Sequence, residues 1–307
     1  MSLRNWLKFI VLALAWGSSF LWIKIAGQEI GPFTLVFLRA SFALLGLTAA
    51  VLVIRPEMPR GKRWWAFVYL GFFNVALPFV AISWAERTIS SGTASILNAT
   101  VPLFTILVAA VFLPEDGLTA PKVLGLLVGF AGVFVLVSDQ LGHGSNNLVA
   151  IGAMLLAAAS YGSSNVFARR QTLGLRPAAQ AFGQSLLSWT IMLPVSTLAE
   201  QSILHLPRLP LTWLALAWLG LVGTAMATLL YYSLLNSVGP TRASLVTYTF
   251  PLVGMILGLI FLAEPLKWQL FLGAALIISG VWMVNNPPAF LLRWVGRLMP
   301  GKVEHDG

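Results

Sequence analysis

Apolar stretches of membrane-spanning length alternate with short polar connections along the whole chain. A helix needs about 20 mostly apolar residues to cross about 30 Å of hydrocarbon, and each stretch meets that length. They cover residues 6–25, 33–54, 65–85, 92–113, 121–138, 148–168, 178–199, 211–235, 242–263 and 268–286. The pattern predicts an all-α integral membrane protein with ten transmembrane helices.

The second half of the chain repeats the first. Segments 94–115 and 243–264 match at a constant offset of 149 residues, and segments 17–19 and 162–164 match at an offset of 145. A repeat of this length indicates a duplicated unit. Because each unit holds five spans, an odd number, its two copies are expected to cross the membrane in opposite directions.

These boundaries predict three parts of the chain. Residues 1–140 form a first five-helix repeat, residues 146–286 form an inverted second repeat, and residues 287–307 form an interfacial helix and tail. The tail helix is predicted because apolar side chains form a stripe beside Arg293 and Arg297, which suits a helix lying on a membrane surface. The stripe consists of Phe290, Leu291, Trp294 and Leu298.

Composition excludes several classes of protein. The chain is 58% hydrophobic and 9% charged, so a soluble domain of this size would have more apolar surface than it can bury. It has no cysteine, and its three histidines lie in connections or the tail, so we predict no metal and no cofactor. The sequence contains no ATP-binding motif and no convergent catalytic set, which predicts that the protein is not an enzyme.

The basic residues predict the topology. With the N-terminus inside, 14 of the 19 Lys and Arg residues lie on the cytoplasmic side, so both termini are expected there, in a bacterial inner membrane. This charge faces anionic lipid and gives no reason to expect a nucleic-acid partner. The 14 residues are Arg4, Lys8, Arg55, Arg60, Lys62, Arg63, Lys122, Arg169, Arg170, Arg176, Arg242, Arg293, Arg297 and Lys302.

Several short motifs carry a family resemblance. They are Ala15-Trp16-Gly17-Ser18-Ser19-Phe20 leading to Lys24, Pro32-Phe33, Phe37-Leu38-Arg39-Ala40, Ala94-Ser95 with Pro102, and Glu115, with the same set in the second half. The chain resembles the EamA-type branch of the drug/metabolite transporter superfamily, and in particular the YddG-type amino-acid exporters. The resemblance implies ten helices in two inverted repeats and export of metabolites. One departure is that Arg169 and Gln184 stand where Lys24 and Arg39 would map.

Polar and aromatic side chains on the spans mark a candidate substrate cavity. Polar groups at this depth are costly unless they are paired or face a cavity. The candidates are Trp16, Ser19, Phe20, Asn74, Pro78, Asn98, Tyr161, Ser164, Asn165, Thr224, Thr228, Tyr231 and Tyr248. Some of these residues have a second interpretation. The small residues among them can serve close helix packing in place of lining a cavity, and Asn74 can form a hydrogen bond to a neighbouring helix. Lys24 and Arg39, which are not among the candidates, either hold an anionic group or extend to the membrane interface.

Two prolines at equivalent positions predict helix kinks. Pro102 and Pro251 remove a backbone donor and are expected to bend their spans, either as hinges for alternating access or as static bends. The pairs Gly125 with Gly129 and Gly254 with Gly258 indicate helix packing faces, within the chain or in a dimer. Glu115 and Glu264, at span ends, are interpreted as loop anchors or N-cap-type groups.

Together these features predict an exporter of small metabolites that works by alternating access through a central, mostly uncharged cavity. Amino acids, including aromatic or apolar ones, are the expected substrates. A multidrug or other metabolite permease of the same fold is the alternative, and a lipid scramblase or an intramembrane enzyme belongs to a different class. The expected partners are a small-molecule substrate and membrane lipid, and the protein is expected to be a monomer or a weak dimer.

Overall fold

The computed structural model describes residues 2–113, 118–140, 145–172, 174–202, 206–238 and 245–285. Within these ranges the chain is helical and has no strand, so the predicted all-α fold is confirmed. The helices are α1 (Leu3–Ala26), α2 (Pro32–Ile54), α3 (Gly61–Ala85), α4 (Ser91–Phe112), α5 (Ala120–Gln140), α6 (Ser145–Gln171), α7 (Pro177–Glu200), α8 (210–238), α9 (Val246–Leu262) and α10 (Trp268–Asn285).

Eight of these helices are long and apolar enough to cross a membrane, and α9 is a shorter apolar helix. The remaining one, α7, has 24 residues but carries several hydroxyl and amide side chains on its inner faces. The helices follow the predicted spans closely because hydropathy decides which segments can stand in lipid. The predicted tail helix and Glu115 lie outside the described residues.

Two helices contain wider π-helical turns at equivalent places. The π-helical segment of α3 spans Gly71–Ala76, and that of α8 spans Trp218–Met226. In α3 the segment ends two residues before Pro78, whose missing N–H cannot bond the carbonyl one turn earlier. Such insertions mark places where a helix serves a site as well as a core.

Both spans that contain the two prolines are divided into two helical segments near the proline. In α4 the first helical segment ends at Asn98 and the second begins at Val101, with Pro102 in its first turn. In α9 a 3₁₀ turn over Leu245–Thr249 precedes Pro251 in the same way. The hydroxyl before each proline folds back, since Thr100 Oγ1 donates to the Leu97 carbonyl at 2.6 Å and Thr249 Oγ1 to the Val246 carbonyl at 2.6 Å.

Equivalent helices of the two repeats pack against each other in antiparallel directions. At one end of the α2–α7 pair the Thr34 amide donates to the Glu200 carboxylate, and further along Trp189 Nε1 donates to Ser41 Oγ at 2.9 Å. In the α5–α10 pair the contacts likewise run in opposite order, from Gly125 against Gly280 to Gly132 against Gly273. The repeats are therefore inverted with respect to one another.

Glycines make the α5–α10 contact possible. A Cβ atom built on Gly280 would lie 2.5 Å from both the Gly125 carbonyl oxygen and the Gly129 nitrogen. Where α9 packs against α4, a Cβ atom on Gly254 would lie 2.5 Å from Ser95 Cβ. The predicted packing role of these glycines is confirmed, and the contacts lie within one chain.

We predict that Gly280→Ala destabilises the protein by about 1–3 kcal/mol, because the new methyl group meets backbone that cannot move aside. The measurement is the thermal midpoint of the detergent-solubilised protein. Gly152→Ala is the matched control, since its Cβ atom meets nothing within 4 Å. Equal midpoints for the two variants would contradict the glycine contact.

Candidate functional site

A cavity of about 310 Å³ lies where the two repeats meet. Ten of the thirteen candidate residues line it: Trp16, Ser19, Phe20, Asn74, Asn98, Tyr161, Asn165, Thr224, Thr228 and Tyr231. Eleven further residues complete the wall, among them Arg39, which the sequence left as a possible anion-holding group: Ile23, Arg39, Val75, Phe79, Ile82, Val101, Gln184, Ser185, Gly223, Thr247 and Phe250. The cavity is thus built from both repeats.

Pro78 does not line the cavity, contrary to the expectation. The prediction used the four-residue spacing of a regular helix from Asn74. The π-helical turn widens this spacing to five residues, so Phe79 follows Asn74 on the cavity wall and Pro78 is turned into the bundle. On this helix the cavity wall is therefore formed by Asn74, Phe79 and Ile82, and not by Asn74 and Pro78.

Ser164 and Tyr248 also lie off the cavity wall. On α6 the wall is formed by Tyr161 and Asn165, which leaves Ser164 buried on the neighbouring flank of the helix. Tyr248 stands in the 3₁₀ turn of α9, where three residues make one turn, so Thr247 and Phe250 reach the cavity in its place. Its hydroxyl instead accepts a hydrogen bond from Asn285 Nδ2 at 3.3 Å.

Arg39 supplies the charge of the cavity. Its side chain is 5% exposed, which rules out the snorkelling alternative for this residue. The guanidinium carbon lies 3.7 Å from the centre of the Phe79 ring, and Nε donates to Thr224 Oγ1 at 3.1 Å. Of the cavity-lining side chains in the described ranges, Arg39 is the charged one, and the prediction of a mostly uncharged cavity therefore needs this one amendment.

The opposite wall carries an amide pair at the equivalent place. Asn74 Nδ2 donates to Gln184 Oε1 at 3.0 Å, so Asn74 both faces the cavity and bonds to a neighbouring helix. Gln184 is the residue that maps onto Arg39 in the repeat. The inverted repeats thus present a cationic group on one wall and neutral amides on the other.

An aromatic cluster forms the apolar part of the wall. The Trp16 ring centre lies 5.4 Å from that of Tyr231 and 5.8 Å from that of Phe250, the latter edge to face. Such arrangements are favourable between aromatic rings and leave flat apolar surface for a ligand. The cluster unites α1 of the first repeat with α8 and α9 of the second.

Asn98 offers an unused acceptor. It stands at the end of the first segment of α4, directly before the proline break, and its Oδ1 atom is buried without a hydrogen-bond partner in the described structure. Buried polar groups are normally paired, so an unpaired one in a cavity wall indicates a place for a ligand donor. Nearby, Asn165 Nδ2 donates to Thr105 Oγ1 at 3.3 Å.

At one end of the helix bundle, carboxylates cap helices of the opposite repeat. We name this end the capped end; it comprises connections 27–31, 86–90 and 263–267, the end of α7 at Glu200 and the start of α8. Glu264 accepts from the Ser91 amide at 2.9 Å, which confirms its predicted N-cap-type role. Glu200 caps α2 through the Thr34 amide at 2.8 Å, and Glu29 caps α8 through the Leu209 amide at 3.1 Å. Anions at helix N-termini are favourable.

Lys24 strengthens the same end. Its ammonium group donates to the main-chain carbonyl of Ile89 at 2.8 Å and to that of Glu86. Lys24 therefore ties α1 to the connection between α3 and α4, and neither the anion-holding nor the snorkelling reading describes it. The capped end is held by main-chain groups of both repeats.

Comparisons with known proteins agree with this architecture. A model of the EamA-like transporter family matches residues 5–138 and again residues 148–286. An uncharacterized transporter of Archaeoglobus fulgidus is 30% identical over 292 residues, which are 90% of this chain and 98% of that protein. A probable amino-acid metabolite efflux pump of Escherichia coli is 27% identical, covering 96% of this chain and 97% of the relative.

A solved crystal structure shares the fold. It superposes with a TM-score of 0.65 at 21% sequence identity and covers 96% of this chain and 99% of the other. At this identity the likeness concerns the fold alone.

We predict that the Glu29 cap stabilises the protein at neutral pH and loses its effect in acid. The hydrogen bond from the Thr212 hydroxyl, followed by the Arg208 and Leu209 amides, lowers the pKa of Glu29 below its ordinary 4.5. A lowered pKa in the folded state gives stability that is present above 4.5 and is lost as the pH falls through the folded value.

The measurement is the thermal midpoint of the wild type and of Glu29→Gln from neutral to acidic pH. Glu29→Gln should melt lower at pH 7, and the gap should narrow as the pH falls below 4.5. Glu57→Gln, which changes an exposed carboxylate, is the control and should melt like the wild type. A difference in thermal midpoint between the wild type and Glu29→Gln that stays constant across this pH range would contradict the capping role of Glu29.

Proposed function

Because this chain belongs to the EamA-like transporter family, we propose that it exports amino acids, aromatic and other apolar ones included, from the cytoplasm by alternating access. That the protein is a membrane transporter follows from the family. The substrate class, the direction and the mechanism are the proposal. The observation that carries it is the pairing, in one cavity, of the buried Arg39 with an aromatic wall and an unused amide acceptor.

The carboxylate of an amino acid suits Arg39. Nε of the guanidinium is occupied by Thr224, which leaves its remaining N–H groups as donors toward the cavity. Hydrogen bonds between charged partners are roughly twice as strong as neutral ones, and burial strengthens them further. A substrate carboxylate would also neutralise a cation that is otherwise costly to keep within a membrane.

The ammonium group suits the amide side of the cavity. Asn98 Oδ1 is an unpaired acceptor, and Tyr161 and Tyr231 provide ring faces that attract cations. No acidic side chain of the described residues lines the cavity. The ammonium is therefore held by neutral groups and the carboxylate by a charge, which favours zwitterions over cations.

The apolar side chain suits the cluster of Trp16, Tyr231 and Phe250. Flat aromatic surface accepts aliphatic and aromatic side chains of different shape without a specific hydrogen bond. A volume of about 310 Å³ lies at the lower end of ligand pockets, which matches a molecule the size of an amino acid.

The alternatives fit the cavity less well. A cationic drug would meet the fixed positive charge of Arg39 in a low-dielectric site, where like charges repel strongly. A scramblase would need a polar groove open to lipid along one side, whereas the polar side chains described here face a cavity between the repeats. The names of the relatives point to transporters and not to enzymes.

The distribution of basic residues gives the orientation of the protein in the membrane that we propose. With both termini in the cytoplasm of a bacterial inner membrane, the capped end faces outward. We propose that the repeats at 1–140 and 146–286 rock against each other, and that the breaks before Pro102 and Pro251 serve as hinges. Two helices broken at equivalent points allow both repeats to bend alike.

We predict that Arg39→Gln impairs amino-acid transport strongly. Losing a hydrogen bond to a charged group costs about 1.5–3 kcal/mol, which raises KM about ten- to a hundredfold. The measurement is counterflow of labelled L-leucine and L-phenylalanine in proteoliposomes, with ethidium as the cationic probe. Arg60→Gln, which changes an exposed arginine, is the control and should transport normally.

Flux of ethidium without flux of any amino acid in the wild type would refute the substrate class. Flux of amino acids that is unchanged in Arg39→Gln would refute the role of the guanidinium. Thermal midpoints of both variants, measured in parallel, separate a loss of binding from a loss of folding.

We also predict that Pro102→Ala and Pro251→Ala lower the transport rate several-fold while the protein is still produced and folded. Alanine restores the backbone donor and lets the helix run through the break, which stiffens the proposed hinge. The rate is measured per folded molecule. Pro177→Ala, at the first turn of α7, is the control, and a Pro102→Ala rate equal to that of the wild type would show a static bend.

A further inference from the structure

A second carboxyl at the capped end has no role in the site described above. Glu86 follows α3 directly and is 1% exposed, and neither of its carboxyl oxygens has a hydrogen-bond partner in the described structure. Ser83, one helical turn earlier, is 3% exposed, and its hydroxyl oxygen is equally unpartnered. Buried carboxyls normally have partners, so this pair requires an explanation.

A separate pocket of about 200 Å³ leads to Glu86. Exposed Gln28 and Arg87 stand at its rim, and Ser83 and Glu86 form its buried side. Ile23 lines both this pocket and the main cavity, so the two spaces share part of a wall. Glu86 therefore has a short route to the surface and lies beside the substrate cavity.

The charged groups around Glu86 do not satisfy its carboxyl. Lys24 on α1 donates its hydrogen bonds to main-chain carbonyls, and the guanidinium of Arg39 on α2 attracts the Glu86 carboxyl only at a distance. Glu264, in the connection between α9 and α10, repels a charged Glu86 carboxylate. Arg87, the residue after Glu86, is exposed at the rim of the pocket. Burial, opposed in part by Lys24, raises the pKa of Glu86 well above its ordinary value.

We propose that Glu86 is a proton-binding site of the transport cycle, protonated while the capped end is closed and ionised when that end opens. The inference rests on the proposed alternating access. The step is a simple dissociation, in which the carboxyl O–H bond breaks and the proton passes to water in the pocket. A protonated carboxyl is neutral and tolerates burial without partners far better than a carboxylate.

Opening the capped end changes this balance for a physical reason. Two charged groups near Glu86 belong to the capped end, namely Lys24 on the neighbouring carbonyls and Glu264 on the start of α4. When they separate, water reaches the carboxyl, and a hydrated carboxyl is ionised at neutral pH. Proton concentration on that side therefore biases closure through linkage.

The test measures opening without any substrate. The chain has no cysteine, so Ile23→Cys gives a single thiol on the wall between the two spaces. A charged, membrane-impermeant maleimide is applied separately to each face of oriented vesicles across a range of pH. Because the thiolate fraction itself rises with pH, each labelling rate is divided by that of the same cysteine in a Glu86→Gln background.

From the face of the capped end, we expect this ratio to rise with pH, by up to about tenfold per pH unit for one linked proton. Glu57→Gln should behave like the wild type, and Glu86→Asp should restore the pH dependence, since it keeps a titratable carboxyl. A ratio that is independent of pH would overturn the proposal.

Infrared spectroscopy gives a second test that needs no conformational change, because the difference between the spectra of the wild type and of Glu86→Gln reports whether the Glu86 carboxyl is protonated. The wild type should show the carbonyl band of a protonated carboxyl at pH 7, and Glu86→Gln should lack it; identical spectra would overturn the proposal. Neither measurement contains an amino acid. Absent flux of L-leucine and L-phenylalanine would therefore count against the proposed substrate, and a pH-independent ratio beside normal flux would count against Glu86 alone.

Discussion

The burial of one permanent charge, Arg39, governs the arrangement of the cavity. A guanidinium cannot be neutralised at ordinary pH, so a membrane protein that buries one must solvate it from its own groups. Here the solvation comes from the Phe79 ring at 3.7 Å and from Thr224 Oγ1 at 3.1 Å. Both groups follow or belong to π-helical turns. Both irregular helices therefore contribute a group that solvates this desolvated cation, and the proposed binding of a substrate carboxylate follows from the same burial.

The two repeats share a scaffold and differ in charge. Gly71 lets α3 approach α7 beside Gln184, and Gly220 lets α8 approach α2 beside Arg39, so each π-helical segment packs against the equivalent residue of the other repeat. The backbone thus keeps the inverted symmetry on which the proposed alternating access depends. The side chains break it, because Arg39 is a cation and Gln184 an amide. A symmetric frame with an asymmetric lining can bind a zwitterion in one orientation.

The sequence determines some of these features locally and others only through the fold. Span positions were predictable because hydropathy acts segment by segment, and the glycine and proline positions were predictable from the repeat. Which side chains of α3 face the cavity was not predictable from the sequence. The π-helical turn, which puts Phe79 and not Pro78 on the cavity wall, depends on the packing of α3 against α7. The cap made by Glu29, which reaches an amide 180 residues away, at Leu209, was not predictable either. The unequal charge of the two cavity walls had a signal in the sequence, because the second repeat has Gln184 where the first has Arg39.

The glutamates of the capped end bear on how the proposed gate can both close and reopen. Of the four described glutamates there, Glu29, Glu200 and Glu264 accept hydrogen bonds from helix starts of the opposite repeat, whereas the Glu86 carboxyl has no such donor. Closure therefore stabilises three carboxylates and desolvates the fourth. With these three caps alone the closed state would be favoured, because the carboxylates would gain no stronger hydrogen bonds from water than from the helix N-termini. In the proposed cycle, the hydration that the Glu86 carboxyl gains on opening would supply the opposing free energy, and the two states would stay close enough in free energy to interconvert.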